Sequence, residues 1–299
     1  MSFLREQLAW KCGRTIQVTG RRTFVMGILN VTPDSFSDGG QFFDHQLALR
    51  RAREMVAAGA DIVDVGGEST RPGAEAVSVD EELERVLPVV KQLAAETDSL
   101  ISVDTMKAAV AAQAVAAGAH MINDVSAMTH DGAMLEVAAQ SGAGVILMHM
   151  QGTPRVMQDN PCYTDAVLDI KDYLAERIEA CCAAGIEREC LAIDPGIGFG
   201  KTVRHNLELL AGLPAFAELH RPVLVGLSRK SFLGKITGRE VQDRLPASLA
   251  ATAYSIVRGA HIMRVHDVKE SCDSVRVVDM LMAEEHGDVG IESNTHTQR

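Results

Sequence analysis

Aromatic side chains supply only 4% of the 299 residues, and other things are missing too. No stretch approaches the ~20 apolar residues that a bilayer-crossing helix requires. Met1–Trp10 carries Arg5 and Glu6 and lacks the apolar core of a signal peptide. Basic residues are outnumbered, 29 Lys and Arg against 40 Asp and Glu, for a formal net charge of -11. That balance, with no basic stripe, excludes a general nucleic-acid binder, so any anionic ligand must be held by a few local cations. The six cysteines (Cys12, Cys162, Cys181, Cys182, Cys190, Cys272) form no Cys-x-x-Cys pair and no disulfide framework. Reduced thiols in the cytoplasm, or in an organelle matrix after loss of a transit peptide, are therefore expected. No Walker loop occurs, no His-Glu-x-x-His, and no Gly-x-Gly-x-x-Gly after the first strand.

Alanine, valine and glycine are abundant instead, and they recur in one pattern. Ala57-Ala58-Gly59-Ala60 precedes the apolar run at Ile62; Ala116-Ala117-Gly118-Ala119 precedes Met121-Ile122; Arg258-Gly259-Ala260 precedes Ile262-Met263. Ser141-Gly142-Ala143 and Ala183-Ala184-Gly185 repeat the theme. A glycine ends each Ala-rich helix, and a short run of the kind buried in parallel sheets follows. Eight strands are expected near Phe24–Asn30, Asp61–Gly67, Leu100–Thr105, Met121–Ser126, Gly144–Met150, Leu191–Gly196, Val223–Ser228 and Ile262–Val268. Helices such as Val79–Ala95, Ala166–Ala184 and Ala247–Arg258 separate them. Eight alternating units favour an α/β fold of the closed (β/α)8 TIM-barrel type over an open doubly wound sheet, which is the alternative. Thr15–Phe24 alternates around Gly20 and suits an N-terminal β-hairpin closing the barrel bottom. Residues 1–284 then form a single catalytic barrel, and the polar stretch 285–299 a disordered tail.

Polar residues gather where these strands end: Asn30, Asp64, Glu68, Asp104, Asn123, Asp124, His149, Asp194, Ser228, Lys230, Arg264 and His266. In a barrel those ends meet at one mouth, where barrel enzymes keep their chemistry. Residues two apart on a strand share a face, which pairs Ser102 with Asp104 and Arg264 with His266. Two strand-to-helix connections, Asn30–Gly40 and Gly66–Gly73, are long and suit lids over the mouth. Arg71, Lys230, Arg264 and His266 suit a phosphate or diphosphate, with magnesium bridging its oxygens. Asp104, Asn123 and Asp194 form a carboxylate and amide set fit for the edge of an amino-pyrimidinone. A lone strand-end Asp would be read as a loop cap and a lone Arg264 as a structural ion pair; the number of them favours a site.

The run Met26-Gly27-Ile28-Leu29-Asn30-Val31-Thr32-Pro33-Asp34-Ser35-Phe36-Ser37-Asp38-Gly39-Gly40 resembles the opening signature of the bacterial dihydropteroate synthase family. Asp64-Val65-Gly66-Gly67-Glu68-Ser69-Thr70-Arg71-Pro72-Gly73 resembles its second signature. Ser102–Thr105, Ile122–Asp124, Met148–Gly152, Asp194–Lys201, Ser228–Ser231 and Arg264–Asp267 follow in the family's order, so that the resemblance spans about residues 24–282. It implies condensation of 4-aminobenzoate with 6-hydroxymethyl-7,8-dihydropterin diphosphate to give 7,8-dihydropteroate and pyrophosphate, with the diphosphate leaving before the amine attacks. By motif position, the pterin falls to Asp104, Asn123, Asp194, Lys230, Met148 and Arg264. The diphosphate falls to Asn30, Arg71, Arg264 and His266, with magnesium on Asn30. The 4-aminobenzoate pocket, where sulfonamides compete, falls to Thr70, Pro72, Phe36, Phe199 and Ser231. Asp104, Lys230, Arg71 and Asp38 are the expected catalytic residues. A homodimer is implied by the resemblance alone.

Three rivals stand beside this. A pterin-dependent methyltransferase would share the pocket but not the two long loops. An aldolase-type lyase would need a Schiff-base lysine, for which only Lys230 is a candidate. A non-enzymatic paralogue would bind pterin and form no product. No fused neighbouring enzyme is visible, so the partners expected are small molecules, with neither nucleic acid nor membrane.

Overall fold

The structure is a computed structural model and describes residues 5–32, 41–69, 76–153 and 155–286, with the side chains of 41–44 and 286 left out. An antiparallel hairpin, β1 (Leu8–Cys12) and β2 (Thr15–Thr19), comes first. The barrel strands follow: β3 (Phe24–Asn30), β4 (Ile62–Gly66), β5 (Leu100–Asp104), β6 (Met121–Asp124), β7 (Gly144–Met148), β8 (Leu191–Asp194), β9 (Leu224–Gly226) and β10 (Ile262–Val265). Between them run α1 (Gln41–Ala57), α2 (Val79–Glu96), α3 (Ala108–Ala116), α4 (Met134–Ser141), α5 (Ala166–Ala183), α6 (Val203–Ala211), α7 (Ser231–Thr237) and α8 (Leu245–Val257). The last helix, α9 (Val268–His286), takes in Glu285 and His286; residues 287–299 lie outside the described residues.

All eight barrel strands are parallel, in the order β8-β7-β6-β5-β4-β3-β10-β9. A parallel bridge between Ile193 and Val223 joins the two end strands and closes the barrel. The helix-to-strand junctions behave as the repeated Ala-Gly pattern implies. Gly59 and Gly118 lie at φ of 103° and 116°, where a side chain would be strained. β3 ends at Asn30 as expected, and the other seven barrel strands stop one to three residues short of their expected ends, because the last residues of each run bend into loops.

Strand residues alternate between two cores. Val63, Val65, Ile101 and Val103 face the helices, whereas Ile62, Leu100, Met121 and Ile146 fill the barrel interior. Trp10 and Cys12 of the hairpin belong to that interior cluster, and the Trp10 indole N–H donates to the Cys190 carbonyl at 3.1 Å. The hairpin thus plugs the bottom, but its turn is at Gly13, not at the Gly20 expected from the alternation. Gly20 instead approaches the Glu6 backbone so closely that a Cβ would stand 2.4 Å from the Glu6 carbonyl oxygen. With the bottom sealed by apolar side chains, the interior is polar only toward the strands' C-terminal ends.

Candidate active site at the barrel mouth

Above the apolar floor the next inward positions are Asp64 on β4, Ser102 and Asp104 on β5, Asn123 on β6 and Arg264 on β10. Strand register sets Asp64 beside Ser102 and Asp104 beside Asn123. Arg264 reaches across, with Nε 2.6 Å from Asp64 Oδ2 and Nη2 2.6 Å from Asp104 Oδ2. Asn123 Nδ2 donates to the same Asp64 oxygen at 3.0 Å. Burial pushes the Asp104 carboxyl up to about 7; Arg264 opposes this, and Asp64, Glu82 and Asp124 add to it. Burial works against the Arg264 cation, yet Asp64 and Asp104 outweigh it and raise its pKa. Among the described residues no donor reaches Asp64 Oδ1, Ser102 Oγ or Asp104 Oδ1. Buried acceptors without donors are costly, and a ligand bringing N–H groups relieves them.

Asp194, at the end of β8, is buried and pairs in the ladder with Met148, also buried. Its Oδ1 accepts the Gly196 N–H at 2.7 Å. Burial raises its pKa, while Lys230, that N–H, Lys201 and Arg264 hold it down. Lys230 lies across the loop from Asp194: its ammonium donates to the Ile197 carbonyl and sits 4.6 Å from the centre of the Phe199 ring. Burial lowers Lys230 to about 8 despite the pull of Asp194. Gly196 has φ of 69°, and a Cβ there would stand 1.9 Å from the His149 carbonyl oxygen. Only glycine permits this loop path, which brings Phe199 beside Lys230.

Asn30 ends β3, and its Oδ1 lies 3.8 Å from where a Cβ on Gly66 would stand. On the far side of the mouth, Ser228 Oγ lies 3.2 Å from both the backbone N and Nδ1 of His266. The amide donates to the hydroxyl, and the second contact holds the imidazole in place at the rim of the mouth. No group of three or more His, Cys, Asp or Glu able to hold a metal occurs among the described residues. Asn30 offers one hard oxygen. This donor set fits magnesium bound mainly through diphosphate oxygens and water, and it does not fit an all-protein cage.

The structure therefore brings together Asp104, Asn123, Asp194, Met148, Lys230, Arg264 and Phe199, with Asn30 and His266 at strand ends and exposed Ser231 opening α7. Phe36, Asp38, Thr70, Arg71 and Pro72 lie outside the described residues. Three strand-end polar groups do not enter the mouth. Asp124 turns outward and caps the Ser126 and Met128 amides at 2.7 and 3.0 Å. His149 packs edge-on to Tyr173, with ring centres 4.9 Å apart. Glu68 bonds Lys107 at 2.8 Å, and Lys107 also meets buried Glu82 at 2.5 Å. Asp64 is expected at the mouth as a strand-end carboxylate but without a ligand of its own, and the structure gives it the role of anchoring both Arg264 and Asn123. The only signal was a charged residue inside an otherwise apolar strand, Ile62-Val63-Asp64-Val65-Gly66.

A closed parallel barrel whose C-terminal mouth holds buried carboxylates, an amide and half-buried cations defines a barrel enzyme for a flat, nitrogen-rich substrate. The family described as "Pterin binding enzyme" matches residues 26–266. The chain belongs to that family and, within it, to the dihydropteroate synthases. It is 50% identical over 259 residues to the dihydropteroate synthase of Escherichia coli (strain K12), covering 87% of this chain and 92% of that protein. Among solved structures, Yersinia pestis dihydropteroate synthase in a sulfonamide drug complex has a TM-score of 0.87 at 46% identity, covering 92% of this chain and 100% of that one. Xanthomonas albilineans dihydropteroate synthase with 4-aminobenzoic acid also gives 0.87 at 46% identity, covering 93% and 99%.

Proposed function

We propose that this chain is a transferase that condenses 4-aminobenzoate with (7,8-dihydropterin-6-yl)methyl diphosphate, giving 7,8-dihydropteroate and pyrophosphate for folate synthesis. One observation carries the reading. Two buried carboxylates, Asp104 and Asp194, face one mouth with Asn123 and with the half-buried cations Arg264 and Lys230. The pterin edge offers N–H donors to the carboxylates and a carbonyl to Lys230, and its face lies between Met148 and Arg264.

Arg264, His266 and Asn30 hold the diphosphate, joined by Arg71 as the resemblance implies. Asn30 would hold magnesium, which would supply positive charge to offset that of the leaving diphosphate. The carbon–oxygen bond to the diphosphate breaks first, and its electron pair leaves with pyrophosphate. The resulting exocyclic cation is spread over the pterin ring, and the Asp104 carboxylate, with Asp38, stabilises it. The aromatic amine of 4-aminobenzoate then forms its C–N bond to the exocyclic carbon and gives up a proton to the released pyrophosphate. It is held by Phe199 and Ser231, with Phe36, Thr70 and Pro72. Such a weak nucleophile gains more from alignment and exclusion of water than from a strong base. Sulfonamides compete in the same pocket.

We place the protein in the cytoplasm. No helix among the described residues is long and apolar enough to cross a membrane, and all six cysteines are free thiols. We further propose a homodimer. Tyr254 and Val257 of α8, with Val277, Met280 and Leu281 of α9, are between 47% and 62% exposed on two helices packed together. The catalytic reading is tested by incubating the enzyme with labelled 4-aminobenzoate, the pterin diphosphate and magnesium. Label should pass into dihydropteroate, a sulfonamide should block it, and chelation should abolish it until magnesium is restored. Methyl transfer, or pterin binding without product, would replace the reading with one of its rivals.

A further inference from the structure

Lys201 has no part in the chemistry above, yet it is among the most buried cationic side chains, only 4% exposed. It closes the loop that leaves β8 and directly precedes Thr202, whose hydroxyl accepts the His205 N–H at 3.2 Å and caps α6. Its Nζ lies 2.8 Å from the Phe199 carbonyl oxygen, 3.1 Å from His149 Nδ1 and 3.4 Å from the His149 carbonyl oxygen. An ammonium has three donors and no acceptor, so these three partners use it fully. The His149 ring is itself fixed, edge-on to Tyr173 and 5.9 Å from Tyr163. The Tyr163 hydroxyl donates to the Gly200 carbonyl at 2.8 Å, so two consecutive carbonyls of the loop are pinned from one side. From the other side, Asn206 accepts the Gly198 N–H at 2.7 Å and Lys230 holds the Ile197 carbonyl.

The loop between these anchors carries Asp194 at its start and Phe199 near its end. We infer that Lys201 is a positioning residue for 4-aminobenzoate: it touches neither substrate, and it fixes the Phe199 backbone so that the ring stands beside Lys230 as the wall of that pocket. Asp194 depends on it less, because Asp194 lies within β8, where the His149 N–H donates to its carbonyl at 3.0 Å. Burial lowers the Lys201 pKa and Lys230 adds to this, while Asp194 opposes it. Removing the head group should therefore free the far end of the loop more than the strand end.

This inference rests on the catalytic reading proposed above, and the test separates the two. Steady-state kinetics are measured for the wild type, Lys201→Met and Lys201→Gln. Methionine keeps the stem's bulk and donates nothing. The KM for 4-aminobenzoate and the inhibition constant of a sulfonamide should each rise about tenfold, the size expected for losing buried bonds from a charged donor. The KM for the diphosphate should move less, and kcat should stay within about twofold. A variant that had merely lost stability would show less active enzyme at unchanged KM. Should the Met variant not fold, Lys201→Gln decides: its shorter amide has two donors and cannot serve three acceptors, so its 4-aminobenzoate KM must lie above wild type. An active wild type beside a folded variant with unchanged 4-aminobenzoate KM overturns the role of Lys201. A wild type that makes no dihydropteroate overturns the catalytic reading instead.

Discussion

Replacing Arg264 with methionine removes one cation from between two buried carboxylates, and the cost should depend on pH in a defined direction. The lost bonds are both 2.6 Å, to Asp64, whose side chain is 0% exposed, and to Asp104, at 8%. Removing one partner of such a pair leaves charge buried without compensation and costs about 3–5 kcal/mol. Asp104 then sets the pH dependence. Its folded pKa, about 7, already exceeds the ordinary 3.8. An acid whose folded pKa is raised loses its proton more easily when unfolded. Its contribution to stability therefore falls as pH climbs from about 4 to about 7 and levels off above that. Without Arg264, which holds Asp104 down, the folded pKa rises further and the decline continues past 7 at about 1.4 kcal/mol per unit. Urea unfolding of wild type and variant should show a stability gap about 2 kcal/mol larger near pH 8.5 than near pH 6. A gap that is constant, or larger in acid, would refute the assignment of Asp104 as the carboxylate Arg264 restrains.

Other perturbations have equally definite outcomes. Gly196→Ala places a methyl 1.9 Å from the His149 carbonyl oxygen at φ of 69°, so the β8 loop must move. Calorimetry should show a destabilised protein, and both substrate KM values should rise by about tenfold or more. Trp10→Ala empties the barrel floor and loses the bond to the Cys190 carbonyl. It should cost about 3–5 kcal/mol in urea and leave both KM values unchanged, since the floor lies away from the mouth. Affinity for the pterin diphosphate, followed by calorimetry, should rise with pH as Asp104 ionises near 7 and fall once Lys230 loses its proton near 8. A profile flat across that range would contradict both assignments.

The barrel was legible because its signal is local and repeated: an Ala-rich helix, a glycine at positive φ, then a buried strand. Most of the pterin-facing residues were legible too, since the strand ends of a parallel barrel converge whatever the details. The hairpin was displaced because alternation alone cannot choose between Gly13 and Gly20 as the turn. Gly13 provides the turn, and Gly20 provides the close approach to Glu6. Asp64 went unassigned because its partners come from β6 and β10, and only barrel closure brings Arg264, 200 positions away, to 2.6 Å. Asp124 and His149 read as site residues from their positions in the chain. Asp124 follows the inward Asn123 and so faces the other side of β6, and His149 lies one residue beyond β7, where the chain turns toward Lys201. The Glu68–Lys107–Glu82 cluster joins three segments, which no single motif can announce.

The most direct test of the account measures pyrophosphate and dihydropteroate formed from the pterin diphosphate and 4-aminobenzoate, for wild type beside Asp194→Asn. The wild type should release the two products in equal amounts. The variant should fold normally and lose most of its activity, because an amide in place of the carboxylate presents its own N–H groups to the pterin's N–H donors. Tight pterin binding by the wild type with neither product, or full activity in the variant, would contradict the claim that this mouth is a pterin-transferring site anchored on Asp194.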